Sequence, residues 1–140
     1  MMLLGYRYVN IDNNPNFLVP VGEETNGDTL YSCRTYHQGD IIPGKYHAGR
    51  RECHVSHGGA EHSKTGAHIE VLTSPNGTPL AWVRTNELPA NAIPGGRTNE
   101  RENIYVIRCE ISISGRGVFI PGKYVDSTTS TRGCIYQLCG

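Results

Sequence analysis

Ile42-Pro43-Gly44-Lys45-Tyr46 recurs as Ile120-Pro121-Gly122-Lys123-Tyr124, and this repetition decides how the chain is read. Internal self-similarity is tested first because missing it miscalls a whole fold. Pro-Gly suits the centre of a type II turn, since proline presets one φ and glycine supplies a positive one. The pentapeptide is therefore expected to turn the chain and to present a lysine in a fixed direction twice. Working outward, Leu30-Tyr31-Ser32-Cys33-Arg34 aligns with Ile104-Tyr105-Val106-Ile107-Arg108. Pro20-Val21-Gly22 aligns with Pro94-Gly95-Gly96, and the run from Cys53 to Gly59 with the run from Cys134 to Gly140. The reading is a tandem repeat: residues 1–16 as an N-terminal strand and turn, 17–79 as a first unit, and 80–140 as a shortened second unit. On this alignment the second unit stops before a final strand, and the strand near Gly5 to Val9 is a candidate to fill its place.

The local patterns are those of short strands. Thr29 to Tyr36, Cys53 to His57, Ala67 to Leu72, Leu80 to Arg84 and Ile104 to Ile113 read as strands, and Leu3 to Val9 as a first one. Asn26-Gly27 and Asn76-Gly77 are tight-turn signals. In Ile104 to Ile113 the odd-numbered residues are the more apolar, so Tyr105, Ile107, Ile111 and, by alignment, Tyr31 and Cys33 are expected to face the core. Arg34 and Arg108 fall on the opposite face. No window keeps helical periodicity for three turns. The fold class expected is all-β: two pseudo-symmetric tandem repeats of short antiparallel strands, packed as one sandwich- or prism-like domain.

Composition removes several functions. The 140 residues carry 13 basic and 13 acidic side chains, so nothing draws the chain toward nucleic acid or an anionic membrane. No apolar stretch is long enough to span a bilayer, and Met1 to Leu4 is too short for the core of an export signal. Membrane insertion is not expected, and a cytoplasmic or unconventionally secreted protein is. Five cysteines, an odd number, read as free thiols in a reducing compartment. His54, His57, His62 and His68 lie close together in sequence, but on a strand His54 and His57 point to opposite faces, and no zinc-type spacing is present. No metal or cofactor is therefore assigned. The chain has no nucleophile elbow, phosphate-binding loop or dinucleotide fingerprint, so no enzymatic activity is assigned either.

A set of ordered motifs goes further. Gly22, Tyr31 to Arg34, Pro43 to Lys45, Gly58-Gly59-Ala60-Glu61-His62, Glu70-Val71-Leu72, Trp82-Val83 and Leu88 to Ile93 follow one another at characteristic spacing. In this the chain resembles the DM-nine repeat family, also known as an insect domain of unknown function. That family includes bivalve mannose-specific lectins, and natterin-type toxins carry similar repeats. The resemblance implies an all-β fold with a sugar site in each unit. Each site would use an acid two positions after the first glycine together with the lysine of Pro-Gly-Lys. Those positions are Glu24 and Lys45 in the first unit, and Thr98 and Lys123 in the second. Glu24 stands where the family has Asp, Thr98 is not acidic, and Ala60 replaces a family lysine. Glu61-His62 is implied to order the turn after the double glycine.

The chemistry suits a sugar. Hexose hydroxyls both donate and accept, an ammonium only donates and a carboxylate only accepts, so the pair clamps adjacent hydroxyls. Arg34 and Arg108 are expected to support the site by bridging strands or holding a Glu of the same unit. The function expected is a non-enzymatic lectin for mannose-containing glycans, in pattern recognition of microbes, acting as a homodimer. The alternative is a structural or protein-interaction module whose sugar site has decayed.

Overall fold

Alternating apolar and polar residues, broken by glycine, asparagine and aspartate, generate strands and tight turns with scarcely any helix. A computed structural model describes residues 6–24, 26–57, 60–66, 68–74, 80–84, 92–113, 116–125 and 135–139. Side chains are described as far as residue 106, those of Ala81 and Arg84 excepted. The strands are β1 (Arg7–Asn10), β2 (Pro20–Glu23), β3 (Thr29–His37), β4 (Asp40–His47), β5 (Glu52–His57) and β6 (Ala60–Lys64). They continue with β7 (Glu70–Thr73), β8 (Ala81–Arg84), β9 (Pro94–Arg97), β10 (Asn103–Ile113), β11 (Arg116–Val125) and β12 (Ile135–Cys139). A single 3-10 turn, Ile11–Asn13, follows β1. The strands form one curled antiparallel sheet whose main path runs β1-β7-β3-β4-β9-β10-β12-β8. The all-β expectation holds.

Two long hairpins organise the sheet, and they share one register. In the first, Tyr31 faces Tyr46, Cys33 faces Gly44 and Arg34 faces Pro43. In the second, Tyr105 faces Tyr124, Ile107 faces Gly122 and Arg108 faces Pro121. The agreement extends to flanking strands. Gly22 pairs with Leu30 as Gly96 pairs with Ile104, each ladder carrying a register shift. On the far edge, Cys33 meets Val71 of β7, and Ile107 meets Gln137 of β12. Beyond these, β1 pairs with β7, and β8 with β12.

These pairings correct three sequence expectations. First, Pro43-Gly44 is no turn but lies in the middle of β4. The chain reverses at Gln38 and Gly39 instead, both with positive φ, of 49° and 92°. That is the pattern of a two-residue hairpin turn whose twist matches its strands. Gly44 serves close packing, because a Cβ there would overlap the His54 carbonyl of the neighbouring β5. Second, the segment after Cys134 does not take the place of β5. It forms β12, which occupies beside β10 the place that β7 occupies beside β3. The N-terminal strand therefore fills no gap in the second half, since β1 pairs with β7.

Third, β3 and β10 are not buried on one face alone. Leu30 and Ser32 are as buried as Cys33, and Ile104 and Val106 are buried beside a half-buried Tyr105. The reason is that two apolar clusters flank the sheet. One gathers Ile11, Cys33, Ile42, Tyr46, Cys53, Val55, Ile69 and Val71. The other joins Val19, Val21, Leu30 and Leu72 to Ile93 and Val106, with Tyr8 and Trp82 packed against it, and so ties the two halves together. A strand between two cores reads as continuously apolar rather than alternating. The expected burial of Ile107 and Ile111 falls on side chains outside those described.

Cysteine use also departs from expectation. Cys33 and Cys53 form a disulfide whose Cα atoms lie 6.2 Å apart. The two residues sit on β3 and β5, on either side of β4. In a flat sheet, strands two apart are separated by about 9–10 Å. The sheet coils tightly around β4 at Gly44, the rung opposite Cys33, where the missing side chain lets His54 and Val55 of β5 close in.

Candidate functional site

Alternation along β4 sends Ile42 and Tyr46 into the first core and leaves Lys45 and His47 on the other face. Likewise β5 buries Cys53 and Val55 in that core and turns Glu52 and His54 outward. Register then sets Lys45 opposite His54, and His47 opposite Glu52. On β6, Ser63 lies opposite His54 and Glu61 opposite Ser56. The result is a polar patch on a rigid ladder, with the β2–β3 turn arched over one end.

Lys45 is the centre of that patch. Its Nζ lies 3.1 Å from Glu61 Oε1, and its side chain keeps 31% of its exposure. His54 Nδ1 approaches the same Glu61 oxygen at 3.5 Å and lies 3.3 Å from Ser63 Oγ. At the arched end, His47 is buried, and neither of its ring nitrogens makes a hydrogen bond among the described residues. Its Nε2 looks toward Asp28 at 3.5 Å and Glu24 at 3.9 Å. Arg50 approaches Glu24 from solvent, at 3.9 Å.

Of the residues singled out from sequence, Lys45 and Glu24 thus fall at the same patch, but through intermediaries. Glu24 is met by His47 and Arg50, and Lys45 is held by Glu61. Two positions along one strand face separate Lys45 from His47, or roughly 7 Å. Thr98 occupies in the second half the place of Glu24 in the first. Glu24 N–H donates to Asp28 O and Gly27 N–H to Glu24 O, while Thr98 N–H donates to Glu102 O and Arg101 N–H to Thr98 O. The Thr98 hydroxyl is engaged within its own turn, accepting from Glu102 N–H at 3.1 Å. Lys123 faces Val106 in the ladder, as Lys45 faces Ser32. The side chains of Lys123 and Arg108 lie outside those described.

Arg34 braces β3 against β7 and β1. Its Nε donates to Glu70 Oε1 at 2.9 Å, and its guanidinium stacks 3.9 Å from the centre of the Tyr8 ring. Burial pushes the Tyr8 phenol pKa well above its ordinary value, with Arg34 partly opposing, so the ring beneath the cation stays neutral.

Sequence reasoning missed His47, Asp28 and Glu52, and it gave Glu61 a turn role rather than the Lys45 partnership. The alternations Lys45-x-His47 and Glu52-x-His54 were the available signal, once both segments are placed as neighbouring strands. Among the described residues, no group of three His, Cys, Asp or Glu side chains is arranged to hold a metal ion. None of the described helices is long and apolar enough to cross a membrane.

A curled all-β ladder with paired registers and one lysine-centred polar patch defines the class of protein. The family follows directly: the DM9 repeat model matches residues 24–137, and the chain belongs to the DM9 repeat family. That family is associated with carbohydrate binding. No curated protein matches the chain.

Proposed function

We propose that this protein is a non-catalytic lectin that binds mannose-type glycans at the patch formed by Lys45, Glu24, Glu61 and their histidine neighbours. One observation carries the reading: a half-exposed ammonium sits beside carboxylates on a rigid strand face, donors next to acceptors. As a bare surface ion pair, Lys45–Glu61 is worth at most about 1 kcal/mol to stability, so it is poorly explained as a structural device. Glu24, Asp28, Glu52 and Glu61 outnumber Lys45 and Arg50 around the patch, which favours neutral sugars over sulfated or sialylated ones.

The two halves are read as repeat units of residues 17–79 and 80–140, with β1, from the N-terminal 1–16, lying outside β7 as β8 lies outside β12. The first unit carries the competent site and the second a weakened one. A single shallow site favours assembly, because linking sites raises avidity by roughly 10²–10⁴. A homodimer acting in recognition of microbial surfaces fits this arrangement. A glycan array tests the reading: neutral mannosides are expected to bind above sulfated and sialylated glycans, and a blank array refutes it. Light scattering at micromolar concentration tests the dimer.

A second reading has its own observation. Tyr36 and Ile41 are cross-strand neighbours that remain 62% and 40% exposed, an apolar pair suited to a protein partner. A blank array with a stoichiometric protein partner in a pull-down selects this reading instead.

A further inference from the structure

On the opposite side of β5 from Lys45 lies a cluster that the sugar reading does not use. His37 of β3 stacks on His62 of β6, with ring centres 4.2 Å apart and an interplanar angle of 30°. His57 of β5 meets His37 edge-on at 4.9 Å. His57 Nε2 lies 3.2 Å from Asp40 Oδ2, and Asp40 Oδ1 accepts from the Asn99 N–H at 2.8 Å. His62 Nε2 reaches the His57 carbonyl at 3.4 Å. His37 is buried, and its Nε2 has no partner.

The strand held by this cluster is an edge. Among the described residues, β6 pairs by backbone with β5 alone. Its side chains reach further: His62 stacks on His37, and Glu61, next in sequence, grips Lys45. The two contacts lie on opposite faces of one short strand, so loosening one face moves the other.

We propose that the His37–His57–His62 stack is an acid-sensitive latch on the β5–β6 hairpin, whose opening withdraws Glu61 from Lys45. The link to ligand binding rests on the sugar-site reading; the latch itself does not.

The electrostatics favour opening in acid. Imidazole changes charge near neutral pH. The charged groups facing His37 are Asp40 from β4, His57 from β5, and His62 and Lys64 from β6. Only one is a carboxylate, and it is already engaged by His57 and the Asn99 amide. Two protonated rings at stacking distance repel with little water between them. Desolvation, then Lys64 and the neighbouring imidazoles, push the His37 pKa below its ordinary 6.5, with Asp40 opposing. The sign follows: above about 6.5 the ring is neutral folded or unfolded, and stability is full. As pH falls through that value the unfolded chain takes up a proton that the folded chain resists, and stability is lost.

Hydrogen exchange of the whole protein at about pH 7.5 and about pH 5.5, corrected for intrinsic rates, tests the latch without any ligand. Amides of residues 61–64 are expected to exchange about tenfold faster at the lower pH, while those of β7 hold their protection. His62→Phe keeps a ring on His37 but removes the proton, and His37→Phe does so from the other side. Each is expected to flatten the pH response to less than about twofold. Unchanged wild-type exchange across this range overturns the latch, as does an acid response that persists in both variants. Binding to yeast-type mannan is measured alongside, with weaker binding in acid expected for the wild type alone. Absence of binding at both pH values removes the sugar reading and leaves the exchange comparison to decide the latch.

Discussion

The hairpin spanning 29–47 and the hairpin spanning 103–125 have one backbone plan and two surface chemistries. Tyrosine faces tyrosine and Arg faces Pro at the same rungs of both. The turns before them carry the same two backbone hydrogen bonds. The difference lies in what is mounted on that plan. The first turn presents Glu24 toward His47, and the second presents Thr98, whose hydroxyl is consumed inside the turn. The first hairpin is tied by Cys33 to Cys53, whereas position 107 in the second is isoleucine. A ladder is fixed by backbone pairing and a few glycines, so it tolerates such exchanges. A binding site depends on particular side chains and does not.

The largest effect is expected at Gly44, where the first half coils. Gly44→Ala places a Cβ against the His54 carbonyl, backbone that cannot yield cheaply. A loss of about 3 kcal/mol or more is expected from overpacking of this kind, read as a fall in thermal melting temperature. An unchanged melt would break the claim that β5 lies directly against Gly44.

The disulfide comes next. Closing a loop with a sequence separation of 20 stabilises by about 3 kcal/mol in the chain-entropy account. Denaturant unfolding with and without a reductant should show a shift of this size. Equal midpoints, with the thiols confirmed as reduced, would remove the covalent difference between the halves.

Binding is the sharpest test of unequal sites. Lys45→Ala should weaken a mannoside by roughly ten- to a hundred-fold, as expected for losing about 1.5–3 kcal/mol with one partner of a charged hydrogen bond. Lys123→Ala should cost much less, because Thr98 supplies no acceptor charge. Thr98→Asp should strengthen the second site. Titration calorimetry reads all three. Equal losses for the two lysines would make the sites equivalent, and no loss for Lys45→Ala would empty the patch of its role.

The smallest effect concerns the two turns. Gly27 and Arg101 hold the same place in them, with φ of 93° and 66°. Left-handed backbone costs a non-glycine residue about 1 kcal/mol. Arg101→Gly should therefore stabilise by at most about 0.5 kcal/mol after glycine's larger unfolded-state entropy, about 0.5–1 kcal/mol, is counted. A destabilising result would mean that the Arg101 side chain contributes more than its backbone costs.

The sequence by itself determined the strand-and-turn character, the recurring Ile-Pro-Gly-Lys-Tyr word and the two lysines it carries. Each of these is local: period two, turn residues and identical words are carried by neighbours in the chain. It also placed Glu24 and Thr98 at matching positions, because the glycine two residues before each is visible in both halves. Tertiary structure alone decided the rest. Pro43-Gly44 looks like a turn locally, yet it lies mid-strand, where β5 packs against the absent side chain. Burial of Leu30 and Val106 required a second core, built from residues of both halves. The pairing of Cys33 with Cys53 required the sheet to coil around β4. Lys45 finds Glu61 rather than Glu24, because β5 and β6 fold back beside it. Which carboxylate reaches which ammonium depends on strand order in space, and no local pattern encodes that order.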